Sequence, residues 1–292
     1  MSGAGVLEVL RPGALTTVQD LGRVGRAHLG VPRSGALDSP AHRLANRLVG
    51  NSPGAATLET TLTGCAVRPD RAVVAAVTGA PCPVRIDGRP APWGAAVRVP
   101  GGAVLEVGAA RAGVRSYLAV AGGVDVEPVL GSRSTDLLSG LGPAPLSEGA
   151  RLPVGPAPGP VPWADAVASA APGPPSDELV LPLVPGPRED WFAPTALRAL
   201  ARGVYRVSAE SNRVGLRTEG PALERSVRGE LPSEGMVAGA VQVPPGGEPI
   251  VFLADHPTTG GYPVVGVVPR EALAAAAQAV PGLKVRFVPL RR

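Results

Sequence analysis

The sequence predicts a mostly β protein in two subdomains, with few and short helices. The chain has 292 residues, enough for two ordinary domains, and 45% of them are hydrophobic, which provides a sizeable core. Glycine (39 residues) and proline (35 residues) are abundant, and this favours many short strands and turns over long helices. Aromatic residues make up only 3% of the chain, so the core must consist mainly of Val, Leu and Ala.

The first half opens with a strand, GVLEVLR, and a Gly-rich stretch leads from it to the clearest helical pattern, SPAHRLANRLVGN. Asp38 or Ser39 can cap this helix, and Pro40 suits its first turn. Gly50 suits a left-handed exit from it. The histidine of this helix, His42, is expected to be a surface residue because arginines surround it in the sequence.

From residue 57 to residue 153 the chain shows short apolar runs, each closed by Gly or Asp-Gly. Such a pattern is typical of an antiparallel barrel or sandwich. The segment RIDGRP predicts a two-residue hairpin turn within it.

A stretch rich in Pro, Gly and Ala, residues 156–178, predicts a connection between two subdomains. The N-terminal subdomain is expected to span 1–155 and the C-terminal one 179–292. The strand pattern returns after the connection, with two further predicted helices, one over 194–202 and one after Pro269.

Composition argues against several functions. The chain has a single lysine, Lys284, which lies in a predicted strand, so it has neither a P-loop nor a biotin-attachment lysine on a hairpin. The net charge is +4, but the arginines are dispersed and few aromatic residues can stack on bases, which argues against a nucleic-acid partner. No apolar run reaches about 18 residues and the N-terminus lacks an export signal. We therefore expect a cytoplasmic protein with no membrane contact and with reduced cysteines.

The usual catalytic signatures are also absent from the sequence. The three histidines lie far apart, so no metal site is expected. Neither the nucleophile motif G-x-S-x-G nor a dinucleotide-binding G-x-G-x-x-G occurs in the required context.

Four polar blocks interrupt apolar or Gly-rich surroundings: GVPRSGALD (30–38), LGSRSTD (130–136), ESNRVGLR (210–217) and ADHPTTGGYP (254–263). Three of them place Arg beside Ser or Asn, which suits a carboxylate, carboxamide or phosphate because a guanidinium is a planar fork of donors. The fourth combines Asp and two Thr with adjacent Gly amides that can form an anion-holding nest. A tight turn is the alternative interpretation of each block alone, but four blocks in one chain favour a binding site.

The sequences around these blocks resemble a known family. The segments GVPRSGALDSPAHRLANRLVGN, YLAVAGGVDVEPVLGSRSTD, SNRVGLRTEGPAL and SEGMVAGAVQVPPGGEPIVFLADHPTTGGYPVVGVV are similar to the biotin-dependent carboxyltransferase family, also called allophanate hydrolase subunit 2-like or KipA-like. The match runs in order across nearly the whole chain, apart from the Pro-rich connection. Stand-alone bacterial members of this family include the C component of the ATP-dependent 5-oxoprolinase.

The resemblance implies a cyclophilin-like β-barrel architecture in two subdomains that together form one carboxyltransferase domain. It also implies a KipI-like partner (allophanate hydrolase subunit 1) and a LamB/YcsF-like partner, with which the small amide 5-oxoproline is opened to L-glutamate. ATP would be used by the complex, no cofactor would be bound covalently, and biotin would sit only on a separate carrier. Two alternatives are carboxyl transfer from carboxybiotin to urea or a related amide, and a non-catalytic regulatory role beside a KipI-like protein.

The positions that match the family motifs are the candidate site residues, and we expect the isolated chain to be inactive because it has no ATP site of its own. Catalytic roles are expected for Asp255, which would accept an N–H, and for Arg133. The other candidates are expected to bind substrate, and no metal is expected: Arg33, Ser34, Ser132, Thr135, Asn212, Arg213, Thr258, Thr259, Gly260, Gly261 and Tyr262.

The chain departs from the family pattern at two places in the last motif. The family commonly has Arg-Gln after the Asp of the last motif, where this chain has His256 and Pro257. It commonly has Lys after GGYP, where this chain has Val264. The loss of that lysine removes one hold on an anionic ligand, and His256 is expected to replace it in part.

Overall fold

The structure is a computed structural model that describes residues 5–159, 177–227, 229 and 231–290. Contacts divide the chain into two units, which we describe separately. The first unit comprises the described residues of Met1–Arg23, Ser34–Asp136 and Gly140–Pro174, and the second comprises Val24–Arg33, Leu137–Ser139 and those of Pro175–Arg292. Most of the predicted connection, residues 160–176, lies outside the described residues.

The first unit contains one helix, α1 (Ser39–Leu48), and eleven strands. The strands are β1 (Gly5–Arg11), β2 (Leu15–Gln19), β3 (Thr57–Thr61), β4 (Cys65–Pro69), β5 (Val73–Gly79), β6 (Val84–Ile86), β7 (Arg89–Ala91), β8 (Ala96–Val99), β9 (Leu105–Val107), β10 (Arg115–Val120) and β11 (Arg151–Val154). They form a six-stranded sheet of order β11-β1-β4-β9-β6-β7 and a five-stranded sheet of order β2-β3-β10-β5-β8.

The core of this unit is built mainly from Val, Leu and Ala side chains, as the composition predicts. In β1, for example, Leu7 and Val9 are buried while Glu8 between them is half-buried, the alternation expected of a strand with one face on the core. Cys65 and Cys82 are buried in the same core and both are free thiols. Burial raises the pKa of the Cys65 thiol to about 12, so this side chain behaves as an apolar core residue.

The predicted hairpin turn is confirmed between β6 and β7. Ile86 pairs with Arg89, and the two residues between them, Asp87 and Gly88, have φ angles of 48° and 74°. Two consecutive positive φ angles define the turn whose twist matches that of the flanking strands.

The predicted helix is confirmed as α1, together with its signals at both ends. Asp38 is the N-cap, and its Oδ1 accepts from the backbone N–H of Ala41 at 3.0 Å. Gly50, beyond the C-terminus, has a φ of 76°, as a left-handed exit requires.

The surface position predicted for His42 is wrong. Its side chain is fully buried because α1 packs against β5 and β10, and His42 lies on the same buried face as Ala45 and Asn46. The ring is held on both sides: Nδ1 lies 2.9 Å from Thr57 Oγ1 and Nε2 lies 3.3 Å from Asn46 Nδ2. The neighbouring Arg43 is exposed, so the arginines of this segment describe only its solvent face.

This burial makes His42 a source of acid sensitivity. Burial lowers the pKa of His42 from the ordinary 6.5 to about 4, in opposition to the negative charges of Asp20 and Glu59, which raise it. The unfolded chain therefore binds the proton more tightly than the folded protein does. Stability from this residue is fully present above pH 6.5 and is lost as the pH falls towards about 4.

Replacing His42 with Gln is expected to remove an acid-dependent loss of about 3 kcal/mol in the free energy of unfolding, at 1.36 kcal/mol per pKa unit. Urea unfolding at neutral pH and near the folded-state pKa measures it for both proteins. At the lower pH, the free energy of unfolding of the variant should increase relative to that of the wild type. An unchanged difference would mean that the pKa of His42 is the same in the folded and unfolded states, and would contradict this account.

The second unit contains the other two helices, α2 (Pro194–Arg202) and α3 (Arg270–Ala277), close to their predicted positions. Its strands are β12 (Glu178–Pro185), β13 (Tyr205–Val207), β14 (Gly215–Glu219), β15 (Glu234–Gly235), β16 (Ala240–Gln242), β17 (Ile250–Phe252), β18 (Thr259–Gly260), β19 (Val264–Val267) and β20 (Lys284–Pro289). Short 3-10 helices occupy Ala27–Leu29 and Glu189–Trp191.

Seven of these strands form a closed barrel of order β12-β19-β16-β17-β14-β13-β20. The barrel closes through the parallel pairing of β12 with β20, while its other pairs are antiparallel. This confirms the prediction of a mostly β fold with barrel architecture and few helices. Within the described part of the chain, no helix combines the length and the apolar character needed to cross a membrane.

Candidate functional site

A buried ion pair joins two of the four polar blocks in the second unit. Arg213 Nε donates to Asp255 Oδ2 at 2.8 Å, and Arg213 Nη2 donates to Asp255 Oδ1 at 2.9 Å. The two side chains are 1% and 0% exposed. This two-pronged geometry uses both carboxylate oxygens, so it fixes the direction of both side chains. The pair therefore ties block 210–217 to block 254–263.

The same carboxylate holds the short segment at residues 137–139. Leu137 N donates to Asp255 Oδ2 at 3.1 Å, and the backbone N–H of Asp255 donates to Arg213 O at 3.1 Å. In this structure Arg213 and Asp255 hold each other and the surrounding backbone. The predicted contact of Asp255 with a substrate N–H and the predicted substrate-binding role of Arg213 stay predictions.

The loop that contains Thr258, Thr259, Gly260 and Gly261 leaves the barrel between β17 and β19. Thr259 and Gly260 form β18, which pairs with β15, and Thr258 O accepts from Met236 N at 2.9 Å. Neither glycine has a positive φ, so this backbone does not have the alternating conformation of one kind of nest, and the predicted anion-holding nest stays a prediction. Of the two glycines, Gly260 pairs with Glu234 of β15, and Gly261 lies beyond β18.

Tyr262 presents its ring at the surface of this loop, with 44% of the residue exposed. The guanidinium carbon of Arg225 lies 5.8 Å from the ring centroid, within cation–π range. Arg225 Nη2 also donates to Val243 O at 2.5 Å. Sequence reasoning missed Arg225 because a lone arginine in PALERS carries no signal for this contact.

The two departures from the family pattern have structural counterparts. Val264 is buried and packs with Met236 and Phe252, so a charged side chain in this orientation would lose its hydration. The His256 ring stacks on Phe252 at 6.1 Å, and its Nδ1 lies 2.8 Å from Pro257 O. The expected role of His256 as a replacement cation stays a prediction.

Asn212 fits the turn interpretation of its block. Its Oδ1 accepts from Val214 N at 2.8 Å and from Gly215 N at 3.3 Å, which is the side-chain-to-backbone pattern of an Asx turn. This turn contains Arg213 and leads directly into β14.

In the first unit, a carboxylate that sequence reasoning missed organises the block that contains Ser132 and Arg133. Asp20 Oδ1 accepts from Ser132 Oγ and from Ser134 Oγ, both at 2.6 Å. Asp20 Oδ2 accepts from the backbone N–H of Arg133 at 2.7 Å, and Gly22 N donates to Asp20 Oδ1 at 2.8 Å. Asp20 lies immediately after β2 and its hydroxyl partners are more than a hundred residues away, so no local pattern identifies it.

The Asp20 carboxylate is ionised at neutral pH. Burial raises its pKa, but the hydrogen bonds from Ser132, from Ser134 and from the backbone of Arg133 and Gly22 lower it more, and the result lies below the ordinary value of 3.8. The carboxylate therefore acts only as an acceptor, which matches its four donors.

Ser34 and Thr135 meet in the same unit. Ser34 Oγ donates to Thr135 O at 2.9 Å, and Gln19 Nε2 donates to the same oxygen at 3.0 Å. Ser34 has a φ of 54°, in the left-handed region that non-glycine residues rarely occupy. Thr135 Oγ1 and Gln19 Oε1 are buried, and neither has a hydrogen-bond partner among the described residues.

The two remaining arginine candidates differ in position. The Arg133 side chain is partly exposed; its Nε donates to Val126 O at 2.7 Å and its Nη2 pairs with Asp125 Oδ1 at 2.6 Å. Arg33 is half-buried and belongs to the second unit. The structure thus gathers Ser34, Ser132 and Thr135 in the first unit, and Arg213, Asn212 and Asp255 in the second. Among the described residues, no three His, Cys, Asp or Glu side chains are grouped so that they could hold a metal ion.

Comparisons with known proteins agree with this architecture. A family model described as carboxyltransferase domain, subdomain A and B, matches residues 29–289. The chain is 39% identical over 286 residues to the C component of the 5-oxoprolinase of Escherichia coli (strain K12), and the match covers 97% of this chain and 91% of that protein.

Two solved structures share the fold. The crystal structure of TTHA0988 superposes with a TM-score of 0.88 at 40% identity, covering 98% of this chain and 56% of that one. The crystal structure of the Kluyveromyces lactis urea carboxylase superposes with a TM-score of 0.87 at 31% identity, covering 98% of this chain and 27% of that one. This chain therefore corresponds to about half of the first protein and about a quarter of the second.

Proposed function

Because the chain belongs to the carboxyltransferase family with subdomains A and B, we propose that it is the C component of an ATP-dependent 5-oxoprolinase. The observation that carries this proposal is the match to a protein of that description along nearly the full length of both chains. The proposed partners are a KipI-like and a LamB/YcsF-like protein, and the proposed product is L-glutamate. Within such a complex this chain would contribute to a hydrolase.

Ring opening of 5-oxoproline breaks the bond between the carbonyl carbon and the ring nitrogen. The carbonyl carbon gains an oxygen from water, the nitrogen gains a proton, and negative charge develops on the carbonyl oxygen on the way. A protein that assists this step needs hydrogen-bond donors for that oxygen and an acceptor for the amide N–H. The hydroxyl of Thr135 and the amide oxygen of Gln19, both buried and unpartnered among the described residues, are suited to these tasks.

The Arg213–Asp255 pair supports this proposal as a positioning device. It fixes the backbone at the start of block 254–263, and through Leu137 N it fixes the segment at 137–139. Rigid supporting groups keep binding groups in a productive geometry. Asp255 would then act through the backbone that it holds.

ATP would supply the driving force for ring opening when bound by a partner. The residues of this chain do not fit an ATP site, because the single lysine, Lys284, begins β20 and no Gly-rich phosphate loop precedes it. The isolated chain is therefore expected to produce no glutamate.

A second candidate function is carboxyl transfer to urea or a related amide from carboxybiotin on a separate carrier. The structural similarity to the urea carboxylase of Kluyveromyces lactis favours it. Urea and 5-oxoproline both present an amide C=O and N–H, so the same buried donor and acceptor would suit either compound.

A substrate comparison separates the two candidates. The chain is purified with its KipI-like and LamB/YcsF-like partners and supplied with ATP and either 5-oxoproline or urea, the urea arm with bicarbonate and a biotinylated carrier protein. We expect glutamate in proportion to ADP in the first arm and no carboxylated urea in the second. Carboxylated urea without any glutamate would overturn the 5-oxoprolinase assignment.

A further inference from the structure

We propose that Asp20 is a positioning residue that sets the loop of residues 132–135 so that the Thr135 hydroxyl and the Gln19 amide oxygen face an amide ligand. This proposal rests on the proposed function for the identity of the ligand, but the arrangement of the loop is independent of it. The first support for the proposal is that the side chain of Asp20 accepts several hydrogen bonds from this loop. Asp20 accepts two hydroxyl and two backbone N–H hydrogen bonds, all at 2.8 Å or less.

The second support is that this network uses up the other polar groups of the loop. Ser132 Oγ donates to Asp20 and accepts from Ser134 N at 3.0 Å, and Ser134 Oγ accepts from Asp20 N at 3.0 Å. Arg23 Nη2 donates to Ser134 O at 2.5 Å. The hydroxyl groups of both serines are therefore already engaged in hydrogen bonds that order the loop.

The third support is that two buried polar atoms beside this network, Thr135 Oγ1 and Gln19 Oε1, have no hydrogen-bond partner among the described residues. Thr135 N donates to Val18 O at 2.9 Å, and Thr135 O receives hydrogen bonds from Ser34 and Gln19, so only the Thr135 hydroxyl is unpartnered among the described residues. Buried polar atoms without partners are rare in folded proteins and call for a ligand or a water molecule. Gln19 contributes the second such atom, and the hydrogen bond from its Nε2 to Thr135 O holds its side-chain amide against the backbone of Thr135.

The chemistry of these two atoms identifies the class of ligand. Gln19 Oε1 can only accept a hydrogen bond, while the Thr135 hydroxyl can donate one. An amide or lactam presents an N–H and a C=O side by side, so it satisfies both atoms at once. A free carboxylate or phosphate would satisfy the hydroxyl and would face the Gln19 oxygen with a second acceptor.

The loop itself is tested by hydrogen exchange on the purified chain, without any partner or substrate. In Asp20→Asn, we expect exchange at the amides of Gly22, Arg133 and Ser134 to accelerate by roughly tenfold or more, because the carboxylate that orders them is lost. Asp70→Asn is the matched control, since Asp70 Oδ1 accepts from Val6 N where β1 pairs with β4 in the same unit. Unchanged exchange at Arg133 and Ser134 in Asp20→Asn would overturn the proposal.

The ligand role is tested by a double-mutant cycle in the glutamate assay of the assembled complex. Thr135→Val and Asp20→Asn are each expected to lower kcat/KM by roughly tenfold or more, and the double variant is expected to lose little more than the more damaging single variant, because the two changes remove one function. Thr135→Ser, which keeps the hydroxyl, should retain most activity. Losses that multiply in the double variant, or full activity of Thr135→Val, would contradict the proposal.

Ser132→Ala keeps the test decisive if Asp20→Asn does not fold. It removes one donor to Asp20 and the acceptor of Ser134 N, and is expected to accelerate exchange at Ser134 and to show the same non-additivity with Thr135→Val. A wild-type complex that forms no glutamate would refute the proposed function, and the exchange measurement would still decide whether Asp20 sets the loop.

Discussion

Replacing Arg213 with Met is expected to lower the free energy of unfolding by about 3–5 kcal/mol. The substitution leaves the Asp255 carboxylate buried without its two strongest donors, and burying an uncompensated charge is costly. Leu137 N, which donates to Asp255 Oδ2 at 3.1 Å, is neutral and does not replace the charge of the guanidinium. Chemical denaturation of wild type and variant at neutral pH measures the difference.

Arg286 supplies a matched control in the same unit. It forms an ion pair with Glu178 at 3.0 Å, but the two side chains are 43% and 31% exposed. Arg286→Met should therefore cost no more than about 1 kcal/mol. Equal effects of the two substitutions would contradict the claim that burial makes the Arg213–Asp255 pair important.

Replacing Gly142 with Ala is expected to lower the free energy of unfolding of the chain by about 2–5 kcal/mol. Gly142 has a φ of 83°, and an added Cβ would lie 2.1 Å from Ser134 O and 2.6 Å from Arg23 Nη2. The substitution thus combines backbone strain with a clash against the loop that Asp20 holds. Thermal unfolding of the purified chain gives a direct measure of the loss.

Gly140, two residues earlier, separates these two causes. Its φ of 71° is equally unfavourable for alanine, but no atom lies within 4 Å of an added Cβ. Gly140→Ala should cost only the conformational strain of about 1–2 kcal/mol. If both variants lose the same stability, the close approach of Gly142 to Ser134 has no energetic consequence.

Much of the fold could be predicted from local patterns. The alternation in GVLEVLR gives β1 with the bounds seen in the structure, and the Asp-Gly pair of RIDGRP gives the hairpin of β6 and β7. The capping signals around Asp38 and Gly50 give α1. These features depend on residues that are close in sequence, so short-range chemistry determines them. Strand β4, by contrast, begins with Cys-Ala-Val after a turn and was not predicted as a separate strand.

The site could be predicted only in part, because its contacts join distant segments. The pattern identifies Arg213 and Asp255 as notable polar residues, but their mutual hydrogen bonds span 42 positions in the sequence. Asp20 gives no local signal at all, since its role depends on a loop more than a hundred residues away. The position of His42 was predicted wrongly for a related reason, because its buried partner Thr57 lies on a strand outside the helix.

The alternative interpretation of the polar blocks as turns is correct for some of their residues. Asn212 closes an Asx turn at the start of β14. Other residues of the blocks are buried and contact separate segments: Ser132 Oγ donates to the Asp20 carboxylate, and Asp255 Oδ2 accepts from Leu137 N. The blocks therefore combine turn-forming residues with residues that hold separate segments together.

The measurement that tests the central claim most directly is ATP-dependent glutamate formation from 5-oxoproline by the partner proteins, with and without this chain. We predict that the partners alone form no glutamate and that adding back the chain restores formation in a saturable manner. The Arg286→Met chain should restore it equally well, because this surface pair is remote from the proposed functional groups in sequence and is solvent-exposed. Glutamate formation at the same rate in the absence of this chain would contradict its assignment to the 5-oxoprolinase.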